Sequence, residues 1–518
     1  MRSGLLKRIR IFFAVVFIMA TAFVFIDFRD ILPDSYTGTI LYLQFVPSLI
    51  KYITLPSVAA AGFAVILILT LLTGRTYCSA ICPLGIIQDA GSRLGGLIRR
   101  RFRRFGYGKP YTIIRYGILV ITILVTITGG IYMVSLLDPY SIFGRFTTYF
   151  LKPVVLLLNN AIAGILNRGD IYSLYRIDIK GVTIAAYIIP VVFFLLVAAM
   201  SVMKGRLYCN TICPAGTLLG LISKVSVLRI NIDHSGCTRC GRCALACKAS
   251  CIDFHGRDID NSRCVGCFNC ITACREKAIS YGLYRGRLQS DGYVPDEGKR
   301  SFTVGLLFLL AGIGDAARGR DVPVPKKQST VREKKNLPVC LPGATSIENF
   351  LSRCTACSLC ISACPKNVIH PSIAEYGIAG IMQPRMDYHR GFCNFECTIC
   401  TEICPTGALM PLATEAKKLT QLGVARFIKE NCIVHTEKTD CGACSEHCPT
   451  KAVEMVHYEA NLVIPEVTDD ICIGCGACEY ACPTTPYKAI FVDGNSEHIS
   501  AKKPETEKAV LKTDDFPF

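Results

Sequence analysis

The chain has 518 residues, 30 cysteines, a formal net charge of +17 and a mean hydropathy of +0.38. This length allows three or four domains and excludes a short secreted scaffold whose cysteines form disulfides, so the closely spaced thiols favour metal ligation. The positive charge does not indicate nucleic acid, because the densest basic run lies between two apolar segments, as cytoplasmic membrane flanks do. That run comprises Arg99, Arg100, Arg101, Arg103, Arg104 and Lys109.

Four apolar segments before residue 205 predict an α-helical membrane bundle. They are residues 11–26, 58–73, 113–137 and 182–203. Basic residues before the first span, after the second and after the fourth place these flanks on the cytoplasmic side. We interpret the first span as a retained anchor, because no small-residue cleavage site follows it and further spans do. Residues 154–166 are too short to span and predict an interfacial helix on the outer side, with a fifth crossing as the alternative.

The membrane half contains no histidine, since the first histidine of the chain is His234. Membrane cytochromes usually hold haem through histidine. We therefore expect no haem in the membrane domain.

A twelve-residue segment occurs twice in the membrane half, at residues 74–85 and 205–216. Both copies read Gly-Arg-x-Tyr-Cys-x-x-Ile-Cys-Pro-x-Gly, and their cysteines are Cys78, Cys82, Cys209 and Cys213. Thiols four residues apart share a helix face, so the two copies would bring four thiols together at the cytoplasmic surface. Repetition of the whole frame favours a redox or metal role. The alternative is that these cysteines are small apolar residues packed at helix ends.

Two cysteine runs follow the second copy: Cys237-x2-Cys240-x2-Cys243-x3-Cys247 and Cys264-x2-Cys267-x2-Cys270-x3-Cys274. This spacing is typical of two-cluster ferredoxins, in which the last cysteine of each run binds the other 4Fe-4S cluster. We therefore assign Cys274 to the cluster of the first run and Cys247 to that of the second. A zinc site needs four ligands and would leave half of these cysteines unexplained. Lys248 and Arg275 replace the proline that usually follows such runs, and the leftover Cys251 is interpreted as structural.

Four further cysteine runs occupy the last third of the chain. They are Cys354-x2-Cys357-x2-Cys360-x3-Cys364, Cys393-x3-Cys397-x2-Cys400-x3-Cys404, Cys432-x8-Cys441-x2-Cys444-x3-Cys448 and Cys472-x2-Cys475-x2-Cys478-x3-Cys482. With the earlier cysteines they supply ligands for about six 4Fe-4S clusters. We favour a nested pairing, in which the first run exchanges its last cysteine with the fourth and the second with the third. Sequential pairing is the alternative, and Cys340 lies outside every run.

Residues 299–314 join a basic pair to a short apolar stretch. Lys299-Arg300-Ser301-Phe302 resembles a degenerate twin-arginine export signal, with lysine in place of the first arginine. Export would place the last four clusters outside the membrane and the first two inside. The alternative is a buried helix of a cytoplasmic domain, because this stretch is too short for an ordinary span.

Up to about residue 285 the chain resembles the NapH family of membrane polyferredoxins, which have four spans, two Cys-x3-Cys-Pro motifs and a two-cluster ferredoxin. From about residue 299 it resembles NapG-type and MauM-type ferredoxins. The residues that carry this second resemblance are the basic-pair signal, Pro342-Gly343-Ala344, Cys404-Pro405-Thr406-Gly407-Ala408 and the four cluster motifs. The whole is similar to a fusion of the two. The resemblance implies oxidation of membrane quinol and electron transfer to a reductase outside the membrane.

The predicted fold class is a membrane α-helical bundle plus α+β bacterial-type ferredoxin domains that bind 4Fe-4S clusters. We expect a membrane domain at 1–225, a two-cluster ferredoxin domain at 226–285, a linker at 286–335, a four-cluster ferredoxin domain at 336–500 and a polar tail at 501–518. The predicted location is the inner membrane, with the first ferredoxin domain cytoplasmic and the second periplasmic.

The predicted function is a quinol-linked electron conduit with membrane quinol and a periplasmic reductase as partners, and without nucleic acid. Asp138, Tyr140 and Arg145 are candidate quinol contacts, the alternative being plain interfacial anchors. No catalytic acid–base pair or nucleophile is evident, and covalent flavin attachment near Thr345 is not expected. Two other hypotheses are an accessory or redox-sensing polyferredoxin and a cytoplasmic ferredoxin-linked carrier.

Overall fold

The computed structural model describes residues 4–27, 31–57, 60–98, 105–170, 172–177, 184–283 and 331–503. We name residues 4–223 the membrane unit, 228–283 the first ferredoxin unit and 331–503 the second ferredoxin unit. The predicted basic run at 99–104, the export-like segment at 299–314 and most of the predicted polar tail lie outside the described residues.

The membrane unit is built from helices, as expected for a segment that must satisfy its backbone hydrogen bonds without water. They are α1 (Leu5–Ile26), α2 (Asp34–Tyr42), α3 (Phe45–Thr54), α4 (Gly62–Thr73), α5 (Tyr77–Ala80), α6 (Pro83–Ile98), α7 (Thr112–Ile127), α8 (Tyr132–Leu137), α9 (Pro139–Phe146), α10 (Lys152–Asn167), α11 (Ile184–Lys204), α12 (Leu207–Thr211) and α13 (Pro214–Ser223). A π-helical turn, Thr147–Leu151, joins α9 to α10.

Three helical stretches among the described residues are long and apolar enough to cross a membrane: Leu5–Ile26, Pro139–Asn167 and Ala186–Lys204. The first and third match predicted spans. The second corrects the sequence analysis, because residues 154–166 are the end of a 29-residue helical stretch and not a short interfacial helix.

Two predicted spans are shorter in the structure than in the sequence analysis. The apolar run 58–73 forms helix only over Gly62–Thr73, and the run 113–137 is divided into α7 and α8. The division falls at Gly129, whose φ of +87° lies outside the helical region. The number of crossings therefore remains a prediction.

The first ferredoxin unit contains two antiparallel strand pairs and two short helices. Strands β1 (Leu228–Ile232) and β4 (Ile279–Leu283) pair with Leu228 opposite Leu283, and β2 (Ile252–Asp253) pairs with β3 (Asp258–Ile259). The helix Arg242–Ala246 begins after the second cysteine of the first run, and the helix Asn269–Ala273 begins after the second cysteine of the second run. Aliphatic side chains from the strands and helices pack around the buried cysteines.

The second ferredoxin unit has three antiparallel strand pairs around one core. They are β5 (Ile369–Pro371) with β6 (Pro384–Met386), β8 (Val453–His457) with β9 (Val463–Val467), and β7 (Thr420–Phe427) with β10 (Ile490–Ser500). Its short helices are Ile347–Leu351, Leu359–Ala363, Ile399–Glu402, Thr414–Lys418, Ile433–Thr436, Ala443–Glu446 and Ala477–Ala481, with 3-10 turns at Ile378–Gly380 and Lys429–Asn431. One buried cluster of side chains spans all four cysteine runs.

The two ferredoxin units contact α1 near its opposite ends. Leu6 packs on the core of the first unit, whereas the carbonyl oxygen of Phe25 accepts a hydrogen bond from Ser362 of the second. Lys152 also donates to Ser362. Residues 6 and 25 are about 28 Å apart along an α-helix, at 1.5 Å per residue. The membrane unit therefore separates the two groups of cysteine runs.

Candidate functional site

The evenly spaced cysteine runs share one loop conformation. In each, the residues on both sides of the second cysteine have left-handed backbone conformations, with φ between +51° and +75°. This geometry curls the chain so that three successive thiols face the same point. The residues are Arg239 and Gly241, Gly266 and Phe268, Ala356 and Ser358, and Gly474 and Gly476.

The thiols of the first ferredoxin unit are grouped as the spacing predicts. Cys274 lines one small cavity together with Cys237, Cys240 and Cys243. Cys247 lies close enough to Cys264, Cys267 and Cys270 to interact electrostatically with each of them. Each group of four thus takes its last member from the other run. Their roles as ligands remain predictions, which this grouping supports.

The thiols of the second ferredoxin unit are grouped sequentially, so the nested pairing is wrong. Cys404 lies with Cys354, Cys357 and Cys360, while Cys364 lies with Cys393, Cys397 and Cys400. In the same way, Cys482 lies with Cys432, Cys441 and Cys444, and Cys448 lies with Cys472, Cys475 and Cys478. The irregular second and third runs each exchange with a regular neighbour.

The thiol groups suit iron–sulfur clusters better than single metal ions. Zn–S bonds of about 2.3 Å would bring the sulfurs of a tetrahedral site to about 3.8 Å from one another. Among the described residues, three potential ligand atoms lie within 4.8 Å of one another at Glu333, His389 and Glu479. That group contains no thiol. Backbone N–H groups also point at sulfur, as from Ala356 to Cys354 (3.4 Å). Such donors stabilise cluster thiolates.

Two cysteines outside the predicted ligand set are fully buried. Cys340 packs in the core of the second ferredoxin unit. The Sγ atom of Cys251 lies 3.5 Å from that of Cys247 and also hydrogen-bonds to Cys264. Because both neighbours belong to one thiol group, Cys251 is placed to donate its S–H to a cluster ligand.

Replacing Cys251 by alanine is expected to lower the reduction potential of the neighbouring cluster. Hydrogen bonds to ligand sulfur favour the reduced state, and about 0.5 to 1.5 kcal/mol corresponds to about 20 to 60 mV for one electron. An EPR-monitored redox titration measures this, with Cys251→Ser as the variant that keeps a donor. Loss of about four irons in Cys251→Ala would instead make Cys251 itself a ligand.

The two copies of the repeat pack against each other through reciprocal contacts. Arg75 Nη2 donates to the carbonyl oxygen of Cys209 (3.1 Å), and Arg206 Nη1 donates to that of Cys78 (2.7 Å). A Cβ atom on Gly85 would lie 2.1 Å from the Cys78 oxygen, so this close approach requires glycine. Gly216 has the equivalent place beside Cys209, at 2.5 Å. The repeat therefore encodes one approximately two-fold symmetric centre.

All four repeat cysteines are buried in one cluster of side chains. That cluster also includes Cys267 of the first ferredoxin unit. Hydrogen bonds to backbone carbonyl oxygens fix this junction, since Arg75 Nη1 donates to Ser262 O (2.8 Å) and Arg206 N donates to Lys248 O (3.0 Å). The predicted convergence of four thiols therefore occurs beside a predicted cluster ligand.

A buried ion cluster that the sequence analysis missed holds this junction together. Asp89 contacts Arg10 Nη1 at 2.7 Å, Arg206 Nη2 at 2.9 Å and Lys248 Nζ at 3.5 Å. Burial alone would raise the pKa of Asp89, but Arg206 and Lys248 outweigh it and hold the pKa well below its usual value. The sequence signal was Lys248, which replaces proline and reaches into the membrane unit.

Asp138, Tyr140 and Arg145 are buried, so their interpretation as plain interfacial anchors is wrong. Their exposed fractions are 1%, 2% and 1%. Asp138 Oδ1, Tyr140 Oη and Arg145 Nη1 have no hydrogen-bond partner among the described residues. Tyr140 packs with Phe25 and with Cys357 of the second ferredoxin unit. We call these three residues the polar set.

Both halves of the chain match iron–sulfur families. A family described as "4Fe-4S binding domain" matches residues 55–104 and 187–233, and one described as "4Fe-4S dicluster domain" matches residues 353–436 and 439–485. The first family covers both copies of the repeat. The second covers the four cysteine runs of the second ferredoxin unit.

Comparison with curated proteins also finds ferredoxin-type relatives. The chain is 30% identical over 143 residues to the methylamine utilization ferredoxin-type protein MauM of Methylobacillus flagellatus, a match that covers 26% of this chain and 58% of that protein. It is 25% identical over 230 residues to the ferredoxin-type protein NapH of Haemophilus influenzae, covering 42% of this chain and 66% of that protein. The chain is a polyferredoxin of the NapH and MauM type.

Another relative of this NapH/MauM-type polyferredoxin is the ferredoxin-type protein NapF of Escherichia coli, at 26% identity over 133 residues, covering 26% of this chain and 73% of NapF. The polyferredoxin spans less than two thirds of the MauM proteins that it matches. No solved structure matches it. Its membrane-type helices, ferredoxin units and multiple 4Fe-4S domains agree with the family found from the sequence motifs.

Proposed function

We propose that this polyferredoxin carries electrons from membrane quinol, through its 4Fe-4S clusters, to a redox partner docked on the second ferredoxin unit outside the membrane. The polar set carries this proposal. It is buried where the membrane unit meets the first cysteine run of the second ferredoxin unit. Oxidation of a quinol releases two electrons and two protons, so it requires an electron acceptor and a proton acceptor close together.

Asp138 accepts the two protons one after the other in this proposal, and it passes the first to the aqueous phase before it takes up the second. Its Oδ2 atom accepts hydrogen bonds from the N–H and the hydroxyl of Ser141 (both 2.8 Å), which fixes the carboxylate at the start of α9. The Oδ1 atom has no partner among the described residues. Burial raises the pKa of Asp138 to about 6, despite the bonds from Ser141. The group is therefore ionised at neutral pH and basic enough to accept a proton.

The electrons leave singly, each reducing one 4Fe-4S cluster. Tyr140 contacts the quinol ring in this proposal and packs beside Cys357, which belongs to the first thiol group of the second ferredoxin unit. From this thiol group the electrons pass to the thiol group of the second run, with which the first run exchanges its last cysteine. A reductase on the outer surface of this unit completes the path.

The arrangement around α1 supports opposite locations for the two ferredoxin units. They contact α1 about 28 Å apart, close to the thickness of a hydrocarbon core. Arg206 lies beside the first ferredoxin unit, since its N–H donates to Lys248 O, and basic flanks favour the cytoplasmic side. We therefore propose that the first unit is cytoplasmic and the second periplasmic, which disfavours a carrier with every cluster in the cytoplasm.

Reduction by quinol tests this function. Anaerobically purified protein in liposomes receives a reduced menaquinone analogue, and the EPR signals of reduced clusters are quantified against dithionite. We expect quinol to reduce the wild type, and Asp138→Asn and Tyr140→Phe each to slow this reduction at least tenfold, by losing the base or a hydrogen bond to the ring. Tyr36→Phe, at an exposed tyrosine of α2, is the matched control.

The pH dependence separates a base from a structural residue. Asp138 accepts a proton only when ionised, so the rate should fall as the pH drops below about 6, and this step should be absent in Asp138→Asn. Clusters that respond to dithionite but not to quinol at any pH would exclude quinol oxidation by this protein alone. They would favour the accessory or redox-sensing alternative.

A further inference from the structure

A cavity of about 580 Å³ lies where the membrane unit meets the first ferredoxin unit, and its lining contains no cysteine. That lining comes from the loop 105–111 before α7, from the end of α11, from α12, and from Ser250 and Arg263 of the ferredoxin unit. The apolar stretch Ala186–Lys204 is long enough to cross a membrane and ends at this cavity. The cavity therefore lies at the level of the lipid headgroups.

The charged residues that line the cavity are all cations. They are Lys109, Lys204, Arg206 and Arg263. Arg206 and Arg263 are 1% and 5% exposed, and each contacts one carboxylate outside the lining, that of Asp89 and that of Asp260 respectively. The two lysines are exposed, and the lining, which belongs to the described part of the chain, offers them no aspartate or glutamate. The cavity therefore has a surplus of positive charge and favours an anionic ligand.

Hydrogen bonds and a ring contact fix the walls of the cavity. Arg263 Nη1 donates to Gly108 O (2.7 Å), and Gly108 N donates to Ser250 O (3.2 Å), so the loop before α7 is tied to the ferredoxin unit. Arg263 Cζ also lies 5.8 Å from the centre of the Tyr107 ring. The Nη2 atom of Arg263 is buried and has no hydrogen-bond partner among the described residues. The cavity is therefore a preformed site whose cation is only partly satisfied.

Apolar helix surfaces adjoin these cations. Met203, which is 59% exposed, lines the cavity at the end of α11, and Ile113, which is 60% exposed, follows the lining residue Tyr111 by two positions. Tyr111 Oη accepts a hydrogen bond from Lys204 Nζ (3.1 Å), and tyrosine is common at membrane boundaries. A free phosphate needs only the cations. A phospholipid needs cations for its phosphate and apolar surface for its acyl chains, and the cavity provides both.

We propose that this cavity binds the phosphate headgroup of an anionic phospholipid, whose acyl chains lie on the exposed apolar surfaces of α7 and α11. Lys109 and Lys204 bind the phosphate, and the charges of Arg206 and Arg263 add to the attraction. A zwitterionic phospholipid carries a cation of its own, which would meet the surplus positive charge of the lining. Because the cavity has walls from both units, the bound lipid also holds the first ferredoxin unit against the membrane unit.

Native mass spectrometry of the anaerobically purified full chain in detergent tests lipid binding, because it counts bound lipids during a titration. Dioleoylphosphatidylglycerol is anionic, whereas dioleoylphosphatidylcholine has the same acyl chains and is zwitterionic. We expect the wild type to bind the first molecule of phosphatidylglycerol about tenfold more tightly than phosphatidylcholine. The double variant Lys109→Gln/Lys204→Gln should lose this preference, because both exposed cations of the lining are removed.

Lys7→Gln/Lys224→Gln is the matched control, because it removes the same charge near the ends of α1 and α13, outside the cavity. This control should keep the preference for phosphatidylglycerol. Equal binding of the two lipids by the wild type, or an equal loss in the control, would overturn the proposed site. Displacement of the lipid by an equal concentration of inorganic phosphate would instead assign the cavity to a soluble anion. Because no electron donor is involved, lipid binding can fail while quinol oxidation stands, and the reverse also holds.

Discussion

Removing Cys354 and Cys404 together is expected to cost the protein one cluster, not two. The structure groups both thiols at one centre, so Cys354→Ala, Cys404→Ala and the double variant should each lose about four irons and four sulfides. Under nested pairing, Cys404 would instead bind a cluster other than that of Cys354. The double variant would then lose two clusters, or about eight irons. The iron content of the purified full chain therefore separates the two pairings.

The matched comparison is a double variant across two groups. Cys354→Ala with Cys482→Ala should lose about eight irons, because Cys482 lies with Cys432, Cys441 and Cys444. Cys340→Ala should keep its full iron content, because Cys340 belongs to none of the groups of four thiols. A loss of about four irons in the Cys354/Cys482 variant would contradict the sequential grouping and restore the nested one.

The cysteine runs were recognisable from the sequence, but the pairing between them was not. Cysteine spacing is local, and the left-handed residues such as Gly474 and Gly476 show how each regular run folds on itself. Pairing depends on which strands lie side by side. The insertion between Cys432 and Cys441 obscured that relation, because a long loop between ligands looks the same in either arrangement.

The membrane unit shows a similar limit. Apolar composition located α1 and α11 well, since both are uninterrupted. It could not show the break at Gly129, because the sequence on both sides is apolar. It also concealed the helical stretch Pro139–Asn167, whose first turns carry the buried Arg145 and therefore lower the local hydropathy. Polar residues with a buried role look like the end of a span when only composition is considered.

The four repeat thiols were the best functional signal in the membrane half. Repetition predicted that they converge, and the structure explains the other fixed positions of the frame. Arg75 and Arg206 each reach the opposite copy, and Gly85 makes room for a carbonyl oxygen. Nothing local indicated Asp89, because one carboxylate in an amphipathic helix ordinarily faces water.

Replacing Asp89 by asparagine is expected to be the most destabilising single polar substitution in the membrane unit. The carboxylate is 5% exposed and contacts three cations, which belong to α1, the second repeat copy and the first ferredoxin unit. Asparagine is nearly the same size but neutral, so the variant leaves three buried cations without their anion. Removing one partner of a buried ion pair costs about 3 to 5 kcal/mol. We expect a loss of this size or larger.

Thermal unfolding in detergent, followed by the loss of cluster absorbance, measures this effect. Asp258→Asn is the matched control, because Asp258 is exposed in β3 of the adjoining ferredoxin unit and should change stability by no more than about 0.5 kcal/mol. Equal stability of the two variants would mean that the ion cluster does not hold the junction.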